Sequence, residues 1–326
     1  ACEGLADLAI GGGLPPLDPT QGFIVSIGSV ALLAARDHRS RALIVLVSAL
    51  LWGSAEAALI AREQPRARLR VTFVDVGQGD AALLDFPDGR VGLIDAGRGG
   101  HHPAGRELGE LLSARRRRRL DLLILTHGHP DHYGGLEALV DRLPIGEIWV
   151  NGQLLTEETN GALQALLNRA LAQGTRLMFP SDLCGTTRDF GGAEIETLWP
   201  CPRYDPGRSL NDNSWTVRIR FGQRSFLFTG DLEAEAERRL LAAGSIRPVD
   251  VLKVAHHGSR TSSTPQLLRA LRPALAVVSS GAGNRYGHPS PEVLERLRDL
   301  GAELWRTDLR GGLIVSTDGR SLSTGR

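Results

Sequence analysis

The chain has 326 residues, 38 Lys and Arg against 37 Asp and Glu, a formal net charge of +1 and 42% hydrophobic residues. That length is ample for one large domain or two modest ones with a full core. The balanced charge excludes a global basic field, so any nucleic-acid surface must be local.

Residues 1–19 are rich in Gly and Pro and are expected to form a loop. Residues 22–35 are an uncharged apolar run, and 42–55 are another, reaching Ile60 if Glu56 is tolerated. Neither reaches the ~18–20 clean residues of an unambiguous membrane span. They read as buried core helices, as a signal-like segment, or as a hydrophobic hairpin whose turn is Arg36-Asp-His-Arg-Ser-Arg41. The expectation taken forward is two membrane helices over 20–61, followed by an arginine-rich linker at 62–69. Arginines flank both ends of the second run, so the positive-inside rule gives no orientation. With no initiator Met, the chain is expected to be a piece of a longer one.

A soluble domain is expected over 70–321. Strand signals occupy 71–76, 81–86 and 91–94, with a Pro87-Asp-Gly89 turn. A helix over 105–114 runs into five arginines at 115–119. That run suits phosphates or lipid head groups, or it is a solvated helix end. Further on, helices are expected at 136–143, 161–172, 233–243, 266–271 and 291–300. Strands are expected at 148–150, 176–178, 195–198, 215–221, 225–228, 249–254, 276–279 and 314–316. Strand runs followed by β-α alternation indicate an α/β layered domain. The three cysteines, Cys2, Cys184 and Cys201, lack C-x-x-C spacing, support neither a structural zinc site nor a disulfide framework, and say little about redox compartment.

The chemistry concentrates in Leu122-Leu-Ile-Leu-Thr-His-Gly-His-Pro-Asp-His-Tyr-Gly-Gly135. A short buried strand delivers a tight turn carrying His127, His129, Asp131 and His132. His127 and His129 can face one cation, while Asp131 and His132 turn toward a second. Imidazole with carboxylate is the ligand set of zinc, manganese or iron. Leu93-Ile-Asp-Ala-Gly97 precedes the loop, and Phe228-Thr-Gly-Asp231 and His256-His-Gly-Ser259 follow it.

Together these strings resemble the signature of the metallo-β-lactamase fold. Phe73-Val-Asp-Val-Gly-Gln-Gly-Asp80, Asn211-Asp-Asn-Ser214, Leu252-Lys-Val-Ala-His-His-Gly-Ser259 and Asn284-Arg-Tyr-Gly-His-Pro289 resemble, more narrowly, the C-terminal domain of ComEC-type DNA-uptake competence proteins. The likeness covers residues 70–320. It implies a helix–sheet–sheet–helix (αββα) sandwich preceded by membrane helices. It also implies two divalent ions, Zn2+ or Mn2+: the first held by His127 and His129, the second by Asp131, His132 and a late histidine, with Asp231 bridging. Of the late pair, His256 is favoured as the ligand, leaving His257 as a supporting or phosphate-contacting group.

Many members of that fold carry another histidine before the bridging Asp, and here none lies between His132 and His256. Asp212 or an Asn carbonyl is the expected replacement, giving an oxygen-richer site tolerant of Mn2+ or Mg2+. Alternatively, the first ion is weakly held or absent. Asp95 is expected to brace the loop, while Asp75, Gln78 and Asp80 line the cleft. His288 is expected to act from the substrate side, donating a proton to a leaving oxygen. Asp131, Asp231, His257 and His288 make up the expected catalytic set. Paired ions lower the pKa of water and neutralise phosphoryl charge, which suits phosphodiester hydrolysis.

The resemblance therefore implies a nuclease degrading DNA, the strand that is not imported, at the bacterial inner membrane. Its catalytic domain would lie on the external or periplasmic side, and its partners would be DNA, the membrane and the channel region of the same protein. The alternatives are a hydrolase of a small ester, lactam or phosphodiester, and a metal-poor DNA-binding or channel-associated domain.

Overall fold

The computed structural model describes residues 17–99, 104–153 and 161–325. Most of the expected N-terminal loop, including Cys2, lies outside the described residues. The chain divides into two compact units, Ala1–Gln64 with Glu110–Arg118, and Pro65–Gly109 with Arg119–Arg326.

In the first unit, helices Pro19–Ala34 and His38–Glu63 start earlier than their apolar runs because polar residues cap them. Asp18 accepts from the Thr20 N–H at 2.9 Å, and the Gln21 side chain returns the bond to the Asp18 N–H at 3.2 Å. Asp37 caps the second helix through the Ser40 N–H at 2.8 Å. Such caps satisfy N–H groups that have no partner within the helix. Gly28 lets the two helices approach, since a Cβ there would lie 2.6 Å from Ser48 Oγ.

Large apolar side chains remain exposed on this unit, among them Phe23, Val30, Leu33, Leu43 and Leu50. His38–Glu63, with 26 residues, is long and apolar enough to cross a membrane; Pro19–Ala34, with 16, is shorter. The arginine run divides: Arg118 and Arg119 are exposed, as a solvated helix end would be, while the first three arginines are drawn inward. Arg115 and Arg117 are buried, and Arg116 pairs with Glu56 at 3.2 Å and donates to Gln21 at 3.3 Å. Arg117 donates to the Glu63 carbonyl at 3.0 Å. Glu56, a charge inside the apolar run, is thus accommodated by an arginine distant in sequence.

The second unit is built on two sheets. One contains β1 (Leu69–Phe73), β2 (Ala82–Asp85), β3 (Val91–Ile94), β4 (Leu120–Ile124), β5 (Ile145–Trp149), β6 (Arg176–Met178), β14 (Leu313–Thr317) and β15 (Leu322–Gly325), in the order β15-β14-β1-β2-β3-β4-β5-β6. The other contains β7 (Thr187–Phe190), β8 (Ala193–Trp199), β9 (Thr216–Phe221), β10 (Arg224–Phe228), β11 (Val251–Lys253), β12 (Leu275–Val278) and β13 (Glu303–Arg306), in the order β13-β12-β11-β10-β9-β8-β7. Phe221 pairs with Arg224 across the expected hairpin turn.

The sheets share one core: Phe73 stacks on Phe228 at 5.8 Å, Phe86 on Phe190 at 4.4 Å, and Trp149 meets Trp215 at 6.0 Å. The outer face of the second sheet is covered by helices Ala234–Ala242, Pro265–Leu271 and Pro291–Asp299 through Leu240, Leu268 and Val293. This is the expected layered sandwich.

β7, β13 and β15 had no recognised sequence signal. All three are edge strands, with one paired neighbour and mostly polar residues, so they lack the apolar alternation that marks a strand. The cysteine expectation also fails, because Cys184 and Cys201 form a disulfide with Cα atoms 5.7 Å apart. Their separation of 17 residues has no local signature. The fold brings them together by turning the chain from Pro180–Leu183 through β7 and back along β8.

Candidate metal centre

Every candidate ligand follows the end of a strand. Asp95 follows β3, the His127–His132 loop follows β4, Asp231 follows β10, and His256 and His257 follow β11. β3 pairs with β4 in parallel, as do β10 with β11 and β11 with β12, so their C-terminal ends deliver these loops to one edge of the sandwich. Gly230 is required there: its φ is +51°, and a Cβ would meet Thr126 Cβ at 2.9 Å and Ser214 Cβ at 2.8 Å. His256 and His257 have φ of 52° and 54°, a left-handed conformation costing about 1–3 kcal/mol per non-glycine residue and concentrated at functional sites.

The buried ligand atoms converge. His132 Nε2 lies 3.3 Å from Asp231 Oδ1, and His127 Nε2 lies 3.8 Å from Asp231 Oδ2. His257 Nε2 is 3.4 Å from Asp131 Oδ2 and 3.7 Å from Asp231 Oδ2. His129 Nδ1 adds a fourth imidazole, 3.0 Å from His127 Nε2. His127, His132 and Asp231 form one group with ligand-forming spacing, and Asp131, His132 and His257 form another. Among the described residues, His132 Nε2, His257 Nε2 and Asp231 Oδ1 are buried without a hydrogen-bond partner. Buried polar atoms are rarely left so, and ions held by these two groups would satisfy all three. The residues fit divalent metal.

A supporting shell fixes the ring orientations. Asp95 takes His132 Nδ1 at 2.8 Å while accepting from the Thr126 N–H at 2.8 Å and the Thr126 hydroxyl at 2.7 Å. His257 Nδ1 lies 3.0 Å from the Ser279 carbonyl and 3.2 Å from Asp80 Oδ1. Carboxylate or carbonyl on the far nitrogen holds each imidazole in the tautomer that presents Nε2 to the cluster.

The electrostatics match. Burial opposes charge on His132, but Asp231 and Asp95 outweigh it and hold its pKa well above the ordinary value. Burial likewise opposes charge on His257, and Asp231 and Asp80 push it up to about 9. Asp231 would be raised by burial, yet His132 and His257 bring it well below the usual carboxylate range. His127 is depressed by burial and then by His132. The carboxylates thus form a pocket that stabilises positive charge, carried by protons when no ion is bound.

Several expected residues sit elsewhere. Asp212 is not brought into the cluster: its carboxylate accepts from the Glu233 N–H at 3.2 Å and its carbonyl accepts from Trp199 Nε1 at 2.8 Å. Asn213 is consumed by its own loop, bonding Asp205 through both backbone groups at 2.8 Å. Asn213 thus closes the turn before β9, and Asp212 ties that turn to Glu233.

His256 is turned to the rim, its side chain 21% exposed against 2% for His257, with Nδ1 3.3 Å from Glu233. His288 is half-buried beside it, rings edge-on at 5.7 Å. Gln78 accepts from the Gly281 N–H at 3.1 Å, and exposed Asp75 closes its own turn through the Gly77 N–H at 3.2 Å.

One residue escaped the sequence reading. Lys253 is buried at the end of β11 and ion-pairs with buried Asp80 behind His257. A signal existed, since this is the only lysine in the chain and it stands in an otherwise apolar strand, where charge is rare unless paired.

The family model for the metallo-beta-lactamase superfamily matches residues 74–281. ComE operon protein 3 of Bacillus subtilis (strain 168) is 32% identical over 258 residues, 74% of this chain and 32% of that protein. Competence protein ComA of Neisseria gonorrhoeae is 34% identical over 257 residues, 76% of this chain and 32% of that protein. Recombination protein 2 of Haemophilus influenzae is 29% identical over 260 residues, 79% of this chain and 30% of that protein. The chain spans about a third of the length of these curated relatives.

Proposed function

The chain belongs to the metallo-beta-lactamase superfamily, and from that premise we propose that it is a metal-dependent phosphodiesterase acting on DNA in competence uptake. The observation that carries the hydrolase reading is the set of partnerless buried atoms, His132 Nε2, His257 Nε2 and Asp231 Oδ1, facing one another. That two relatives are named a competence protein and a recombination protein supports a role with DNA.

Asp131, His132, His257 and one oxygen of Asp231 would hold one ion. His127, His129 and the other Asp231 oxygen would hold a second, more weakly, because the side chain nearest to joining them is the partly exposed His256, with Nε2 3.7 Å from Asp231 Oδ2. His257 is the ligand of the late pair and His256 the rim residue: both Nε2 atoms lie 3.7 Å from Asp231 Oδ2, but His257 is the buried one and also lies 3.4 Å from Asp131 Oδ2. Divalent ions there supply a water acidic enough to attack near neutral pH and neutralise charge on phosphoryl oxygens. Asp231, with Oδ1 facing His132 and Oδ2 facing His127, would contribute to both positions. His256, its Nδ1 beside Glu233, presents its outer edge to an approaching phosphate. Burial, then His256, hold His288 below its ordinary pKa, so it hydrogen-bonds the substrate as a neutral ring more readily than it donates a proton.

Residues 20–61 anchor the unit in the membrane, next to the channel region of the same protein. The Cys184–Cys201 pair supports an external or periplasmic site, because disulfides persist in oxidising compartments. The test is hydrolysis of single-stranded DNA, nitrocefin and a lactone by one preparation, with and without chelator. Chelator-sensitive DNA cleavage with the other two substrates intact is expected. Turnover of nitrocefin or lactone with intact DNA would overturn the reading.

A further inference from the structure

A row of rings and positive charge climbs from the ligand cluster to solvent along residues 281–289. Asn284 fixes this loop from within. Its amide nitrogen donates to the carbonyls of Gly281 at 2.9 Å and His288 at 2.6 Å. Its oxygen accepts from the N–H groups of Tyr286 at 3.2 Å and His288 at 3.0 Å. The loop backbone is therefore held without help from the Tyr286 side chain, which is 55% exposed. An aromatic ring with that much open surface contributes little to packing.

Its neighbours give the ring a direction. Tyr286 lies 5.8 Å from the His288 ring, tilted by 32°, and His288 meets His256 edge-on at 5.7 Å. His256 Nε2 is 3.7 Å from Asp231 Oδ2. On the solvent side, the Arg285 guanidinium lies 5.0 Å from the Tyr286 ring centroid and donates to the Tyr286 hydroxyl at 3.0 Å. The order from solvent inward is cation, half-exposed aromatic ring with the guanidinium over it, imidazole, imidazole, metal-ligand cluster. Alternating stacking faces with phosphate-binding cations is how proteins hold unpaired nucleotides.

Resting on the DNA reading above, we propose that Tyr286 stacks an unpaired base next to the phosphate under attack, while Arg285 contacts a flanking phosphate. The site would thereby select single-stranded DNA over duplex. In a duplex each base face is already covered by its neighbours, and uncovering one costs a few kcal/mol. The shelf offers no such barrier to a single strand.

The test uses the full chain in chelator, so that binding is read without cleavage. The probes are a fluorescent oligothymidylate, the same backbone with abasic positions, and a duplex of equal length. Tyr286→Ala should weaken oligothymidylate binding by about 5- to 150-fold, the range that loss of one base–aromatic stack produces. It should leave abasic binding nearly unchanged, and Tyr286→Phe should retain wild-type affinity for both. Equal losses on abasic and ordinary strands, or no loss on either, would overturn the shelf while leaving DNA cleavage standing. A wild-type chain that binds no oligonucleotide overturns the DNA reading and the shelf with it. Tyr286-dependent binding without cleavage once metal is restored supports the shelf and overturns the nuclease.

Discussion

Lys253→Met removes the only buried ammonium beneath the cluster and leaves Asp80 in place. Both partners are nearly inaccessible, at 4% and 5% exposure. Removing one partner of a buried ion pair costs about 3–5 kcal/mol, because the remaining charge is stranded. Asp80 keeps a second cation, His257, with Nδ1 at 3.2 Å, and His132 at 3.9 Å. The expected loss is therefore near the lower end, about 3 kcal/mol. For a domain of this size that is a fall in Tm of roughly 6–12 °C. The assay is thermal unfolding of metal-free protein followed by tryptophan fluorescence, since Trp149 and Trp215 are buried in the shared core. Adding Asp80→Asn should recover part of the loss, because the stranded charge goes with it, making the two changes non-additive. A single variant within about 0.5 kcal/mol of wild type, or strictly additive losses, would refute the account of Lys253 as the counter-charge of Asp80.

Three further outcomes follow from the same geometry. His257→Ala should lose metal by elemental analysis, whereas His256→Ala should keep it and lose rate; the opposite pattern would give the ligand role to His256. His132 and His257 carry raised pKa values, His257 to about 9, and an imidazole must lose its proton to bind metal. Metal affinity should accordingly rise as pH climbs from neutral toward 9, with protons released on binding; calorimetry in two buffers of different ionisation enthalpy reads this, and an absence of release contradicts it. Residues 20–61 should draw the full chain into detergent or membrane, given the exposed Phe23, Leu33 and Leu50, and a chain monodisperse in plain buffer would make that hairpin a soluble packing element.

The parts of this molecule legible in its sequence are those where local pattern and fold agree. Four apolar residues before Thr126 announce β4, and the polar string after it can only be a loop held at a strand end. The same logic found Asp231 after β10. It did not orient the late histidines. Strand alternation assumes extended backbone, and His256 and His257 are both left-handed, so sequence order alone does not say which of them faces inward. Asp212 looked available because carboxylates bind metals, yet the Glu233 N–H had a nearer claim on it. The five arginines looked like a surface because charge usually is, but Glu56 and Gln21, far away in sequence, supply partners for Arg116. For Asp212 and Arg116 the deciding contact is non-local, and no spacing rule carries it.

Asp231 is proposed to join two metal positions into one hydrolytic centre. Metal stoichiometry and DNA cleavage measured on the same preparations of wild type and Asp231→Ala test it most directly. The account predicts that Asp231→Ala loses at least one ion and that its cleavage rate falls by about 10²-fold or more, since changes to supporting residues alone cost ~10–100-fold. Full metal content together with full DNA cleavage in Asp231→Ala would contradict it.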